Sequence, residues 1–341
     1  MGVVHLKRSA TSHGKRPEFL SLTLLPGRGM NLFQITANVP GRGEISVLKS
    51  PPVEEAARQL TGTGKDRWGN LNHSFGGAFL IPFSSRISGE LSADGGLVTT
   101  SWHGTTITLP ANSGKYAVHG LLNEEKAEDL RTIKTAGGQM ETAVIHAGDF
   151  GGHWPSLTDL HFRIALSGDA VDIQITATNA GKSPEPMAVG WHPYFSIPSG
   201  LRNQVRLHVP AERRALVNAV DARTTGEFEP VAGTAFDFRS PQGGPLDDSI
   251  NVNLSQLDRT HGSADAWLRD PKTGYGLRVR AMSPQIQTMH IYSPRNDTFV
   301  AIEDQFNYPD PWGAEWKGMD TGMVTLQPGQ SVTWRVRLEL F

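Results

Sequence analysis

The sequence predicts an all-β protein, a large antiparallel β-sandwich with few short helices. Three observations carry this expectation: apolar residues recur with a period of two over many short runs, 37 Gly and 22 Pro punctuate those runs, and helical periodicity is scarce. Alternation sends one set of side chains to a buried face and the other to water. Short runs at close spacing favour a sandwich or barrel over βαβ units.

The last segment is the clearest strand. Val332, Trp334, Val336, Leu338 and Leu340 alternate with Thr333, Arg335, Arg337 and Glu339. Leu160, Phe162, Ile164 and Leu166 alternate likewise, Ser167-Gly168-Asp169-Ala170 supplies a turn, and Val171, Ile173 and Ile175 resume, which reads as a hairpin. Further strands are expected at 19–25, 32–36, 45–48, 97–102, 105–109, 142–147, 205–209, 277–282, 288–292 and 298–303. Residues 53–60 and 124–130 are expected as short helices, and 61–77 and 227–248 as long loops. The first 17 residues, polar and basic, are expected as a flexible tail. No composition break divides 18–341, which reads as one domain.

Composition narrows the function. A formal net charge of −2 without a basic block argues against a nucleic-acid surface, which needs clustered Lys and Arg. No stretch approaches the ~18 apolar residues of a membrane span, and the N-terminus lacks a signal-peptide core, so a soluble, cytoplasmic protein is expected. With no cysteine there is no thiol nucleophile and no Cys-ligated metal. Gly27-Arg28-Gly29 lacks the third glycine of a dinucleotide fingerprint, Gly-x-Ser-x-Gly is absent, and the 12 histidines include no His-x-His or His-Glu-x-x-His. The expectation is chemistry without cofactor or metal on a small neutral ligand, by a monomer or homodimer.

Three apolar, strand-like stretches each enclose titratable residues: Tyr116 to Leu122 around His119, Gly190 to Phe195 around His192, and Phe299 to Asp310 around Glu303. A lone histidine in such a setting is more often a hydrogen-bonded core residue. Glu303 is harder to dismiss, because four apolar residues precede it and a buried carboxylate needs a partner or a use. Gly76 to Gly89 ends an apolar run with Arg86, whose forked donors suit a carboxylate or an oxygen-rich ligand. Asp247-Asp248 places paired carboxylates in a loop, where acids usually serve solvation.

In this order the five stretches resemble the aldose 1-epimerase (galactose mutarotase) family. The resemblance spans roughly residues 18–341 and rests on Arg86, His119-Gly120, His192-Pro193-Tyr194-Phe195, Asp247, and Glu303 with Pro309-Asp310 and Pro328-Gly329 after it. It implies a supersandwich of antiparallel strands with a sugar in an open cleft. It further implies Glu303 as general base, His192 as general acid, His119 as an assisting donor near the ring oxygen, and Arg86 and Asp247 as hydroxyl binders. Ser85 stands where the family usually has Asn, His290 where Gln often precedes the strand aromatic Tyr292, and Asp304 where Pro is common. The first two departures bear on which sugar is bound, so Ser85 and His290 join the expected substrate contacts. Trp191, Tyr194 and Phe306 are candidates for a flat face against the sugar.

Interconverting anomers of a free aldohexose such as glucose or galactose needs a base at the C1 hydroxyl and an acid at the ring oxygen, and no electron carrier. Glu and His, with ordinary pKa values of about 4.3 and 6.5, supply both. A carboxylate close to His192 is expected to favour its imidazolium form. Three rival readings remain: a hexose-6-phosphate 1-epimerase, with Arg213-Arg214 or Lys65 and Arg67 at the cleft rim, a carbohydrate-binding module without catalysis, and an accessory glycosidase domain with its own carboxylate pair.

Overall fold

The computed structural model describes residues 2–11, 15–218 and 223–341. Two large sheets dominate, and every strand pair in them is antiparallel. One has nine strands in the order Glu128–Thr135, Gly138–Gly148, Thr158–Ser167, Ala170–Asn179, Ser331–Leu340, Tyr275–Ala281, Ala264–Asp270, Arg206–His208, Gly244–Pro245. The other has seven, in the order Thr224–Pro230, Ala211–Val217, Ile250–Leu257, Thr288–Ser293, Phe299–Gln305, Gly190–Ser196, Gly77–Leu80. The two pack face to face. Phe79 of the seven-stranded sheet meets Phe162 and Trp334 of the nine-stranded sheet, with ring centroids 5.6 and 6.3 Å apart. The expected hairpin and final strand lie side by side at the centre, with Ile175 paired to Trp334.

Residues 4–7, expected within a flexible tail, are instead ordered. Val4–Lys7 pairs antiparallel with Glu18–Leu25, and Leu6 is fully buried, because one apolar side chain on the inward phase is enough to seat a strand against an apolar partner. The tail residues 1 and 12–14 lie outside the described residues.

The two expected helices part company. Val53–Gln59 is the α-helix of the described residues. The 124–130 expectation is wrong: Leu122–Glu124 is a single 3-10 turn and Glu128–Thr135 is an exposed edge strand on Gly138–Gly148. Ladder hydrogen bonds to a neighbour and the β-branched Thr132, Ile133 and Thr135 outweigh the local helical preference, and the charged Glu128, Asp129, Arg131 and Lys134 guard the edge. Of the expected loops, 61–77 is largely 3-10 turns over Gly64–Ser74, and 227–248 loses its first residues to the strand Thr224–Pro230.

Trp334 is fully buried and its Nε1–H donates to the Asp304 carbonyl at 3.1 Å, tying the nine-stranded sheet to the strand that carries Glu303. Trp334→Ala is expected to cost about 3–5 kcal/mol, read as a lower denaturant midpoint with an unchanged m-value.

Candidate active site

The site lies on the outer face of the seven-stranded sheet. Along Phe299–Gln305 every residue is buried, but the two faces differ. Ile302 points into the core beside Ile291 and Val252, and Glu303 points the other way. Register then sets a polar row: Glu303 pairs with His290, and His290 with Asn253, across three adjacent strands. On the other flank Gly190–Ser196 pairs with Phe299–Gln305 at Gly190–Gln305 and Tyr194–Ala301, and His192 lies between those pairs.

His192 and Glu303 converge. Nε2 lies 3.4 Å from the carboxyl Oε1, with the two residues only 7% and 1% exposed. The second oxygen of Glu303 accepts a hydrogen bond from Gln305 Nε2 at 2.8 Å. Tyr194 tilts against the His192 ring at 4.7 Å and anchors its hydroxyl on the His73 carbonyl at 2.7 Å. His119 stands edge-on to His192 with centroids 5.1 Å apart.

Local backbone geometry delivers His119 and Arg86 together. The short strands Arg86–Ile87 and Ala117–Val118 pair, Val118 opposite Arg86, and the His119 N–H donates to the Ser85 carbonyl at 2.8 Å. Ser85 and His119 both adopt positive φ, 59° and 65°, so the two turns carry strain that the packing around them must hold. Gly120 completes the turn at φ 83°, where a Cβ would lie 2.3 Å from the Ile81 carbonyl oxygen. Asn307 braces this corner from the far end of the Glu303 strand: its Oδ1 accepts from the Ser84 N–H at 2.9 Å and its Nδ2 donates to the Ser84 carbonyl at 3.0 Å.

The resulting cleft, of about 510 Å³, is walled by Ser85, Arg86, His119, His192, His290 and Glu303. Its size is that of a small-molecule site. Tyr116, stacked under the Arg86 guanidinium at 5.2 Å, Asn251, Tyr292 and Gln305 also line it and were not anticipated. Gln305 had a signal in the sequence, since a polar residue two positions after Glu303 shares its face of the strand. Asn251 and Tyr116 had none, because only the folded register brings them in.

Several expectations need correction. Asp247 is exposed and outside the cleft wall, as is Asp248, whose carboxylate faces Arg295 at 3.6 Å. These loop acids stay in water, where a carboxylate is best solvated. Tyr194 supports His192 from behind instead of lining the cleft. Trp191 and Phe306 are fully buried core residues, with Trp191 donating to the Gly77 carbonyl at 2.9 Å. Lys65, Arg67, Arg213 and Arg214 are not among the residues around the His192–Glu303 pair.

Protonation also departs from expectation. A carboxyl group does lie beside His192, yet burial outweighs it and pushes the imidazole down to about 3. Burial drives His73 and His290 to about 4 and lowers His119 strongly, with neighbouring positive charges adding to the effect on His119. The same desolvation raises Glu303 well above the usual carboxyl range, against the hydrogen bond from Gln305. Burial therefore favours a neutral imidazole beside a protonated carboxyl, one titratable proton between two groups. Among the described residues no group of three or more His, Asp or Glu side chains forms a metal-binding cluster.

The aldose 1-epimerase family model matches residues 47–339. The chain belongs to the aldose 1-epimerase family. A protein of Escherichia coli (strain K12), YphB, is 22% identical over 276 residues, 76% of this chain and 82% of that protein. Among solved structures, a galactose mutarotase-like protein from Clostridium acetobutylicum superposes with a TM-score of 0.75 at 16% identity, covering 94% of this chain and 92% of that one. The GalM/aldose epimerase homologue from C. elegans gives 0.73 at 18% identity, covering 100% and 98%. The fold is thus galactose mutarotase-like, the all-β class expected from the sequence.

Asp304, on the core side of the same strand, is fully buried with both carboxyl oxygens lacking partners, and burial raises it to about 8 against the pull of Arg259. Glu185 rises to about 7 for the same reason. For these carboxyls the native state holds a proton that the unfolded chain releases above about pH 4. Their stabilisation is therefore complete at low pH and lost as pH rises toward 8. The buried histidines act in the opposite sense: unfolded imidazoles bind protons below about pH 6.5 that native ones refuse, so stability is lost as pH falls from there toward 3–4. The melting temperature is expected to decline from pH 6.5 to 8.5, and again below about pH 4.5. Asp304→Asn should flatten the alkaline decline, each removed group being worth up to about 1.4 kcal/mol per pH unit. Calorimetric scans across pH would read this, and an unchanged alkaline slope in the variant would clear Asp304 of the effect.

Proposed function

We propose that this protein is a cofactor-independent mutarotase that interconverts the α and β anomers of a free aldohexose such as glucose or galactose. The reading rests above all on the His192 Nε2 to Glu303 Oε1 separation of 3.4 Å at the wall of a cleft of ligand size. Family membership supports it, and so does a solved structure named galactose 1-epimerase from Lactobacillus acidophilus, which has the same fold at 16% identity and a TM-score of 0.68.

In this mechanism the C1 hydroxyl faces Glu303 and the ring oxygen faces His192. The hydroxyl donates a hydrogen bond to the carboxyl while Nε2–H donates to the ring oxygen, and both contacts favour the carboxylate–imidazolium form over the neutral pair. Substrate thus moves the shared proton from Glu303 to His192. Glu303 then takes the C1 hydroxyl proton, His192 protonates the ring oxygen, and the C1–O5 bond opens to the aldehyde. Rotation about C1–C2 and the reverse transfers close the ring on its other face. Gln305 holds the second oxygen of Glu303, His119 assists at the ring oxygen, and Ser85, Arg86 and His290 meet hydroxyls. Arg86 offers forked donors for that task.

One observation favours a second reading, a hexose 6-phosphate substrate. A hollow of about 200 Å³ shares Ser85, Arg86, Asn251 and His290 with the cleft and is also lined by Arg214, which Glu229 engages.

Optical rotation of freshly dissolved α-glucose or α-galactose is expected to relax far faster with the protein than in buffer, and 6-phosphates tested alongside separate the two readings. Glu303→Gln and His192→Ala should each lower kcat/KM by about 10²–10⁴-fold with an unchanged far-ultraviolet dichroism spectrum. A fully active Glu303→Gln protein would remove Glu303 as the base. Sugar binding without acceleration would leave a binding module.

A further inference from the structure

Behind His119 lies a fourth imidazole that the mechanism above does not use. His73 is 8% exposed, and its ring centroid is 5.0 Å from that of His119. Its Nε2 lies 2.8 Å from Asn123 Nδ2, and its Nδ1 is buried without a protein partner.

The proton on this ring follows from a chain of buried amides whose orientation is set by backbone groups. The Gly77 N–H donates to Asn31 Oδ1 at 3.3 Å, so Asn31 Nδ2 is the end that faces Asn72 Oδ1 at 2.7 Å. That same Nδ2 also reaches the Phe75 carbonyl at 3.2 Å, which can only accept. Asn72 must then present Nδ2 to the Arg28 carbonyl at 3.3 Å and to Asn123 Oδ1 at 3.4 Å. Asn123 is left with Nδ2 toward the Trp68 carbonyl, 3.5 Å away, and toward His73. Each amide has its oxygen and nitrogen distinguished by a main-chain partner or by its neighbour. His73 Nε2 therefore accepts, its single proton sits on Nδ1, and a second proton would set one N–H against another.

We propose that the Asn31–Asn72–Asn123 chain is a positioning device that fixes His73 as a neutral Nδ1–H imidazole behind His119, so that His73 adds no cation against the proton shared by His192 and Glu303. The functional half of this inference rests on the acid/base reading above, and the wiring half does not. The titratable and charged groups around the device are His119, His192, His290, Glu303 and the Arg86 guanidinium on the cleft side and Tyr194, whose hydroxyl holds the His73 carbonyl. Behind the amides are the Arg28–Asp66 ion pair at 2.7 Å and Glu124. Arg28 is offset by Asp66 and lies 4.0 Å from Glu124, so it is not an unopposed cation behind the amides.

Nitrogen-15 spectra of the full-length protein test the wiring directly. His73 should remain neutral, with Nδ1 protonated and Nε2 bare, from pH 5 to 9; a protonated Nε2 overturns the proposal. Asn123→Asp replaces the donor with an acceptor and should make His73 cationic. Both limbs of the kcat/KM–pH profile should then move to lower pH, by less than the shift an isolated cation would give, because the new carboxylate lies behind the imidazolium and partly offsets it. Limbs that stay in place with His73 charged would also overturn it. Should Asn123→Asp not fold, His73→Gln serves: its limbs should coincide with those of the unaltered protein even if its rate falls, and limbs displaced to higher pH would reveal that His73 carried charge. An unaltered protein without mutarotase activity would remove the proposed function alone. The titration of His192 in the same spectra would then report whether charge at His73 reaches it.

Discussion

One proton held between two buried groups is the constraint on which the site depends. Isolated, a carboxylate or an imidazolium withdrawn from water on a sheet face would be costly. At 3.4 Å from each other, His192 and Glu303 share a single proton with no net charge, and either arrangement of it is neutral overall. Desolvation favours the uncharged arrangement, and a ligand that hydrogen-bonds to both groups would favour the other. Around the pair Gln305 is an amide, Tyr194 a phenol, and burial disfavours charge on His119, His290 and His73, with the Arg86 guanidinium a permanent cation on the cleft wall.

The scaffold meets this need through register. A sheet places side chains from neighbouring strands about 5 Å apart without any loop to position them, so Asn253, His290 and Glu303 form a row fixed by the ladder itself. Interlocked aromatic rings between the two large sheets hold the strand from behind, and Trp334 reaches across to the carbonyl of Asp304. The loop-borne residues, Arg86 and His119, need separate bracing. They receive it from each other through Val118–Arg86 pairing and from Asn307 through Ser84.

The fold class was legible because alternation is a property of adjacent residues, and the hairpin and the last strand each show it within about ten positions, while the strand of Glu303 reads as a short apolar run. Leu6 and the 128–135 edge strand were misread because their state is decided by a partner elsewhere in the chain. The His192–Glu303 pair stood out for a similar local reason: a histidine and a glutamate inside apolar runs conflict with burial unless they are paired or used. Asp247 shows the limit of carrying a motif across, since its loop leaves it exposed in water. Asn307, Asn123 and Asn31 were invisible, because an asparagine in a loop or strand carries no local mark of a partner. Those of Asn307 and Asn123 lie 223 and 50 positions away.

Asn307 couples two parts that could otherwise drift apart. It follows the Glu303 strand by two residues and grips both backbone groups of Ser84, immediately before Ser85 and Arg86. The Arg86 side of the cleft and the Glu303 side are thereby tied to one frame by two hydrogen bonds. Positions that line the cleft without taking part in this coupling can be exchanged to alter its wall while the brace stays in place. Asn251 and Tyr292, opposite one another on neighbouring strands at the open side, are such positions.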